Sequence, residues 1–215
     1  MTVFEEKAMA LRHILGDLGA YSRALQPRFA LRGYQLEAAG PIVDSIREGR
    51  GRQFALVFSR QSGKDELIAQ LVAYLLTIYQ RAGGGIVLGS PTLRPQSEIS
   101  RRRAMARLDN PLSAALQGTT ASAFSRDGQV VGVGRAEAYY LSAAPTTNAR
   151  GATASLLLLA NEAQDIVPER WDAVFLPDGG IDERDDGFRG DGVERPDAAR
   201  AADAASAGVG AGRWA

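Results

Sequence analysis

The sequence has no cysteine and a single histidine, His13. The absence of cysteine excludes a disulfide scaffold, a thiolate zinc site, an iron–sulfur cluster and a cysteine nucleophile. A single histidine excludes a histidine-rich metal site and weakens the case for a hydrolase of the Ser-His-Asp type. The chemistry of this chain therefore has to rest on carboxylates, hydroxyls, amides, arginines or lysines.

Long apolar runs and lysines are also scarce. The apolar segment Ala154–Ala160 is far too short to span a membrane, and the N-terminus has no signal-peptide pattern. We therefore expect a cytoplasmic protein that makes no membrane contact. Lys7 and Lys64 are the two lysines among 25 basic residues. Since arginine is used almost everywhere else, Lys64 is a candidate for a role that needs a compact ammonium group.

Composition divides the chain near Pro177. The 215 residues suffice for one sizeable domain, and 45% hydrophobic with 23% charged residues is typical of a globular protein. Residues 1–177 carry 20 basic and 16 acidic side chains, whereas residues 178–215 carry 5 basic and 9 acidic ones. In that last segment 17 of 38 residues are Gly or Ala. Such a segment cannot bury enough apolar surface to fold, so we expect 178–215 to be a disordered acidic tail.

Hydrophobic periodicity predicts helices alternating with short strands. In chain order the predicted elements are a helical N-terminal arm within 1–30, a helix at 34–48, a buried strand at 53–58, a helix at 67–79, a strand at 86–88, an exposed helix at 95–108, strands at 130–133 and 138–141, and a core strand at 154–160 followed by a helix through Trp171. This order predicts an α/β domain over 31–177 with a largely parallel central sheet flanked by helices.

The segment 54–67 has the pattern of a phosphate-binding loop. An apolar strand runs into the turn Ser59-Arg-Gln-Ser-Gly-Lys64, and an apolar helix follows at once. Backbone N–H groups at a helix N-terminus would surround an anion, and Lys64 would reach its terminal phosphates. Two positions depart from the usual pattern: Phe58 stands in place of the first glycine, and Asp65 in place of a metal-binding hydroxyl. The alternative is an ordinary strand–turn–helix with a surface lysine.

A second segment, about 100 residues further on, ends an apolar strand in Asn161 and Glu162. Nucleotide hydrolases place a Mg²⁺ ligand and a water-activating glutamate at such a position. Taken alone, the pair could equally be a strand end that caps a helix. In combination with the Gly-Lys loop upstream it favours an ATP and Mg²⁺ site.

With both segments in view, the chain resembles the ATPase domain of the large terminase subunit of tailed bacteriophages. Four features carry the resemblance over about residues 30–177: the lead-in Leu31-Arg-Gly-Tyr-Gln35, the loop Ser59–Lys64, Arg150-Gly151, and Asn161-Glu-Ala-Gln-Asp165. The resemblance implies a P-loop NTPase fold and a motor that hydrolyses ATP to package double-stranded DNA. It also implies a bacterial host cytoplasm, a portal protein and a small terminase subunit as partners, and homo-oligomerisation on the procapsid.

The resemblance further implies roles for individual residues. The nucleotide-binding loop would comprise Ser59, Arg60, Gln61, Ser62, Gly63, Lys64 and Asp65. Lys64 would bind the β- and γ-phosphates, and Glu162 would activate water. Gln35 would contact adenine, or alternatively only cap a helix. Arg60 would be a catalytic sensor or arginine finger, or alternatively pair with a nearby acid.

Asp65 and Asn161 depart from the family in opposite directions. The first position gains a carboxylate and the second loses one, so the two changes could conserve the charge around Mg²⁺, with Asp65 as direct ligand and Asn161 beside it. The alternative is a decayed site in which Asp65 repels the phosphates by several kcal/mol, taking about 4 Å and an effective dielectric near 20.

Two hypotheses of function other than the packaging ATPase stay open. A catalytically inactive remnant could act as a nucleotide- or DNA-binding module, and a helicase-like ATPase could share the Gly-Lys loop and the acidic strand. The arginines at 94, 101–103 and 107 could contact DNA phosphates. Three consecutive arginines fan around a helix, however, so we expect a solvated face.

The break after Pro177 predicts a frameshift that leaves the sheet incomplete at its C-terminal side. One permitted codon set for Asp178–Pro196, read one base later, encodes Met-Ala-Ala-Ser-Thr-Asn-Ala-Thr-Thr-Val-Phe-Val-Gly-Thr-Val-Trp-Ser-Asp. The run Ala-Thr-Thr-Val-Phe-Val-Gly-Thr is typical of a strand. By the resemblance it lies where the family places the strand that couples hydrolysis to movement, and the nuclease domain would follow it. We therefore expect a truncated ATPase domain.

Overall fold

A computed structural model describes residues 2–117, 125–143 and 153–169 of the chain. The helices are α1 (Val3–Gly16), α2 (Leu18–Leu25), α3 (Gly33–Arg47), α4 (Lys64–Tyr79), α5 (Glu98–Leu108) and α6 (Pro111–Gln117). The strands are β1 (Gly84–Ser90), β2 (Ser125–Asp127), β3 (Val130–Val133), β4 (Ala136–Ser142) and β5 (Leu157–Ala160). Short 3-10 turns lie at Pro27–Phe29 and Ala163–Asp165. Two helical residues follow at 168–169, and the rest of the helix expected through Trp171 lies outside these ranges.

The predicted α/β class is confirmed, with a mixed sheet flanked by helices. The strand order is β2-β3-β4-β1-β5. Strand β1 pairs in parallel with β4 on one side and with β5 on the other, whereas β2, β3 and β4 pair antiparallel. The parallel pairing expected for most of the sheet therefore holds for three of the five described strands. The tight turn at Gly134 joins β3 to β4 as a hairpin and accounts for the antiparallel part.

The core lies between the sheet and α4. Ten of the eleven positions from Leu67 to Thr77 in α4 are buried, Ile68 being the exception, because the helix is apolar around nearly its whole circumference. Tyr74 is fully buried and packs edge-to-face on Tyr21 of α2, with ring centroids 5.2 Å apart. Burial raises the pKa of Tyr21 to about 12, so its hydroxyl stays neutral and bonds Thr77 at 3.3 Å. This core fixes α4, and therefore the loop that precedes it.

The helical arm expected within 1–30 is present as two helices. Thr2 and Glu5 form a reciprocal capping box at the start of α1, with hydrogen bonds of 3.2 and 2.7 Å. Asp17 interrupts the helix with an extended backbone, and its carboxylate accepts the N–H of Ala20 to cap α2. Of these two helices, α2 contributes buried residues to the core, whereas no residue of α1 is buried.

The buried strand predicted at 53–58 is wrong. These residues form no strand, and the side chain of Val57 is 99% exposed. Phe54 and Leu56 are also exposed, whereas Phe58 is half-buried against the core. The apolar run satisfies the local pattern of a strand, but a strand needs a neighbour with which to pair. Among the described residues it finds none.

Two other elements differ from expectation in their bounds or burial. The helix expected from Pro95 begins at Glu98, because residues 93–97 form a wide turn in which Arg94 has an extended backbone. The core strand expected at 154–160 is four residues long and half-buried, since it stands at the edge of the described sheet. The tail at 178–215 and the dipeptide at 150–151 lie outside the described residues.

Candidate nucleotide-binding site

The turn at 59–63 delivers the chain into the N-terminus of α4. Gly63 has a left-handed backbone, with φ of +79°, and a Cβ there would meet the amide nitrogen of Gln35 at 2.8 Å. Glycine is therefore required at this position. The carbonyl of Gly63 accepts the N–H groups of Glu66 and Leu67, at 3.1 and 3.0 Å. Within the described residues the N–H groups of Lys64 and Asp65 have no acceptor, which is the arrangement that binds an anion.

Lys64 and Glu162 meet across the site, although 98 residues separate them in sequence. The ammonium group of Lys64 donates to one carboxylate oxygen of Glu162, and Gln164 donates to the other at 2.6 Å. The Lys64 ammonium, and then the Gln164 amide, hold the pKa of Glu162 below its ordinary value. Glu162 is therefore ionised at neutral pH and can accept a proton.

The sheet positions Glu162. Strand β5 pairs with β1, and the N–H of Asn161 continues that ladder by donating to the carbonyl of Gly89 at 2.8 Å. Glu162 itself has a left-handed backbone, with φ of +55°, and its carbonyl accepts the N–H of Asp165. Non-glycine residues seldom adopt this conformation, and such strain concentrates at functional sites.

Asn161 has an unpartnered oxygen beside this ion pair. The residue is 7% exposed, and its buried Oδ1 has no hydrogen-bond partner among the described residues. A buried amide oxygen without a donor carries a free-energy penalty of about 1–3 kcal/mol. An amide oxygen is also a ligand that Mg²⁺ accepts. The residue therefore fits the predicted metal site through an atom that lacks any other partner.

The carboxylate of Asp65 pairs with an arginine, whereas the metal hypothesis requires that carboxylate to bind Mg²⁺. Its Oδ2 lies 3.0 Å from Nη1 of Arg103 on α5, and both side chains are partly exposed. The neighbouring carboxylate of Glu66 is held in the same way by Arg107, at 2.6 and 2.8 Å. The first turn of α4 is thus fastened to α5 by two ion pairs. Ligation of Mg²⁺ by Asp65 stays a prediction and would compete with Arg103.

Gln35 lies behind the loop. It is 5% exposed, its side-chain oxygen accepts the N–H of Arg32 at 2.8 Å, and its amide nitrogen donates to the carbonyl of Gly63 at 2.9 Å. The first bond caps α3, as the simpler alternative expected, and the second holds Gly63 in the turn that precedes α4. In this arrangement Gln35 positions the loop, and its contact with adenine stays a prediction.

A cleft of about 660 Å³ borders the loop on the side of α3. Its lining includes Arg32, Tyr34, Phe58 and the loop residues 59–62, but neither Lys64 nor Glu162. Arg60 is exposed on this cleft and pairs with no acid among the described residues. Tyr34 donates to the carbonyl of Ser62 at 2.6 Å, and Ser62 donates to that of Ser59 at the same distance. The cleft has the volume of a small-molecule pocket.

Several residues that shape the site were not identified from the sequence. Tyr34 lies next to Gln35 in the segment Leu31–Gln35, so the sequence did contain a signal that it lies near the loop. Arg103 and Arg107 were expected on a solvated face, yet the Arg107 side chain is only 12% exposed. Their spacing of four indicates a shared helix face, but nothing local indicates which carboxylates they meet.

Comparisons of this chain with family models, curated proteins and solved structures found no match. The described residues contain no cluster of three or more His, Cys, Asp or Glu that could hold a metal ion. Mg²⁺ that binds mainly through phosphates needs only one or two protein oxygens. No described helix has the length and apolar character that a bilayer crossing requires.

Proposed function

We propose that this chain is the ATP-hydrolysing motor domain of a phage DNA-packaging terminase, with a P-loop NTPase fold. The observation that carries the proposal is the side-chain contact between Lys64 and Glu162. The two residues belong to different motifs that lie 98 residues apart in sequence. Their meeting at one point, beside free N–H groups and a buried unpartnered amide oxygen, supports a common site for a nucleotide.

The chain's own residues divide the work as follows. The N–H groups at the start of α4 and the Lys64 ammonium bind the phosphates. On nucleotide binding Lys64 exchanges the carboxylate for a phosphate, which releases Glu162. The released carboxylate accepts a proton from the water that attacks the γ-phosphate. Arg60, exposed on the adjacent cleft, stabilises charge on the phosphates.

Mg²⁺, when bound, offsets the negative charge of the phosphates. Asn161 would hold it through Oδ1, and Asp65 would hold it after leaving Arg103. Double-stranded DNA, the portal protein, the small terminase subunit and other copies of the chain are the partners that the resemblance implies. The large subunit's location would be the cytoplasm of a bacterial host.

The test compares nucleotide binding of the wild-type protein with that of Lys64→Ala. A fluorescent ATP analogue with Mg²⁺ should bind the wild type and bind the variant at least roughly tenfold more weakly, a loss of about 1.4 kcal/mol. The sequence offers a matched control, because Lys7→Ala removes the other lysine, which is exposed on α1. Equal affinity in all three proteins would reject the site.

A second candidate is a module that binds nucleotide without hydrolysing it. The ion pair between Asp65 and Arg103 favours this candidate, because it withholds a carboxylate from the metal. The two functions differ in one measurement. Phosphate release that depends on Glu162 supports the motor, whereas binding without phosphate release supports the inactive module.

A further inference from the structure

Helix α1 has an apolar face that its own chain leaves largely uncovered. The C-terminal end of the helix is fastened to the rest of the protein, because Ile14 packs on the core and the carbonyl of Leu15 accepts the hydroxyl of Tyr74 at 3.0 Å. Toward the N-terminus this cover ends, and the side chain of Phe4 is 81% exposed. Exposed apolar surface marks an interaction site when it is contiguous.

Phe4 belongs to a continuous apolar seam along α1. The seam consists of positions spaced alternately by four and three residues: Phe4, Ala8, Leu11 and Leu15. This spacing keeps one stripe of a helix in line and is the pattern by which two helices pack together. Leu11 and Leu15 are only half-buried, so the seam retains surface for a second helix along its whole length. Ile14, which faces the core, lies roughly 90° around the helix from the seam, so the core and a second helix would contact different sides.

The seam is complementary to itself when a second copy of α1 lies antiparallel to the first. Phe4 then lies opposite Leu15 of the second copy, and Ala8 lies opposite Leu11. Every layer of the contact therefore contains a leucine, which packs either on the aromatic ring or on the small alanine. Because each copy uses the same residues, the contact has the isologous form of a two-fold dimer.

Charged residues beside the seam select this orientation. Glu5 and Arg12 flank the seam on one side, and in the antiparallel pair Glu5 of each copy lies beside Arg12 of the other, between the same two layers. Both side chains are exposed, and Arg12 forms no ion pair within the part of the chain that the structure describes. In a parallel pair Lys7 would instead face Arg12 of the second copy, and the two cations would repel each other.

We propose that α1 is a self-association arm that pairs antiparallel with α1 of a second copy of this chain. A two-fold contact closes after two copies, so it differs from the oligomer on the procapsid that the resemblance implies. The paired helices are short, so we expect a dissociation constant on the order of 10 µM. The pairing uses no residue of the nucleotide site.

Sedimentation equilibrium of the full 215-residue chain, without nucleotide, measures the pairing. Phe4→Asp should weaken the dimer by roughly tenfold or more, because it places a charge in the apolar seam. The side chain of Phe4 is exposed in the single chain, so the variant keeps its fold. Met9→Asp is the matched control: it removes a 48% exposed apolar side chain from the same helix, away from the seam, and should dimerise as wild type does.

Two charge variants test the orientation. Arg12→Glu and Glu5→Arg should each weaken self-association by roughly two- to tenfold, because each places like charges beside one another in the antiparallel pair. Mixed in equal amounts, the two variants should form a tighter dimer than either forms alone, since both contacts again join opposite charges. The part of the capping box that Glu5→Arg removes is lost in its own dimer and in the mixed dimer alike.

Three results would overturn the proposal. The first is a chain that stays monomeric up to about 300 µM, well above the expected dissociation constant. The second is equal weakening of the dimer by Phe4→Asp and Met9→Asp. The third is tighter self-association of Arg12→Glu, which would indicate the parallel pair in which that residue faces Lys7. Because these measurements contain no nucleotide, their failure leaves the proposed site at Lys64 unaffected.

Discussion

Arg107 on α5 donates hydrogen bonds to both carboxylate oxygens of Glu66 in the first turn of α4, at 2.6 and 2.8 Å. The guanidinium group also lies 3.9 Å from the centre of the Phe29 ring, and Glu66 bonds Gln70 at 2.6 Å. A planar, bidentate, partly buried pair of this kind is held in a single geometry. It fixes the helix that begins at Lys64.

Arg107→Ala should therefore lower the free energy of unfolding by about 2–3 kcal/mol, because it leaves the Glu66 carboxylate partly buried and unpaired. Arg107→Lys should recover only part of the loss, since an ammonium group cannot make the bidentate contact. Urea unfolding measures both. Arg102→Ala is the control: this exposed arginine pairs with Glu98 within the helix, and its loss should cost less than about 0.5 kcal/mol. Similar losses for Arg102 and Arg107 would contradict the assignment.

The sequence predicts local elements well where a single chain segment determines them. The helix that starts at Lys64 and the strands at 86–88, 130–133 and 138–141 lie where apolar spacing predicts them. Residues 53–58 fail because pairing is a property of neighbours, which no local pattern contains. The same holds for the site. Motifs predict Lys64 and Glu162, whereas the contact of Arg103 with Asp65 depends on how two helices pack.

Glu162→Gln should separate binding from hydrolysis. Glutamine keeps the shape and a hydrogen-bonding oxygen but cannot accept a proton, so nucleotide affinity should persist while phosphate release falls by about 10²–10⁴-fold. Removing the charge that holds Lys64 should also leave the ammonium group free for phosphate. Glu169→Gln, at an exposed position in the same region, is the control and should hydrolyse ATP as wild type does. Unchanged phosphate release in Glu162→Gln would exclude its role as base.

The ion pair between Lys64 and Glu162 should make stability depend on acid pH. Its partners lower the pKa of the Glu162 carboxyl from an ordinary 4.5. Its contribution to stability is therefore complete above that ordinary value and is lost as pH falls through the lower pKa of the folded state. The difference in unfolding free energy between wild type and Glu162→Gln should shrink along the same range. A difference that stays constant from pH 7 to about pH 3 would contradict the pairing.

Asp65, Asn161 and Arg103 allow the metal hypothesis to be tested as a cycle. If Asp65 ligates Mg²⁺, then Asp65→Thr should weaken Mg²⁺-dependent nucleotide binding, and a second change, Asn161→Asp, should restore it. Residues of one metal site should couple by roughly 0.5–3 kcal/mol. A double variant no better than Asp65→Thr alone would exclude compensation.

Arg103→Ala distinguishes the two uses of Asp65. The arginine and the metal compete for one carboxylate, so removing the arginine should lower the Mg²⁺ concentration needed for half-maximal nucleotide binding. If Asp65 only fastens α4 to α5, the same variant should leave the Mg²⁺ requirement unchanged. The ion pair is partly exposed, so its loss should reduce stability by less than about 1 kcal/mol, and the folded protein remains available for the measurement. The Mg²⁺ titration then decides whether Asp65 exchanges partners when nucleotide binds.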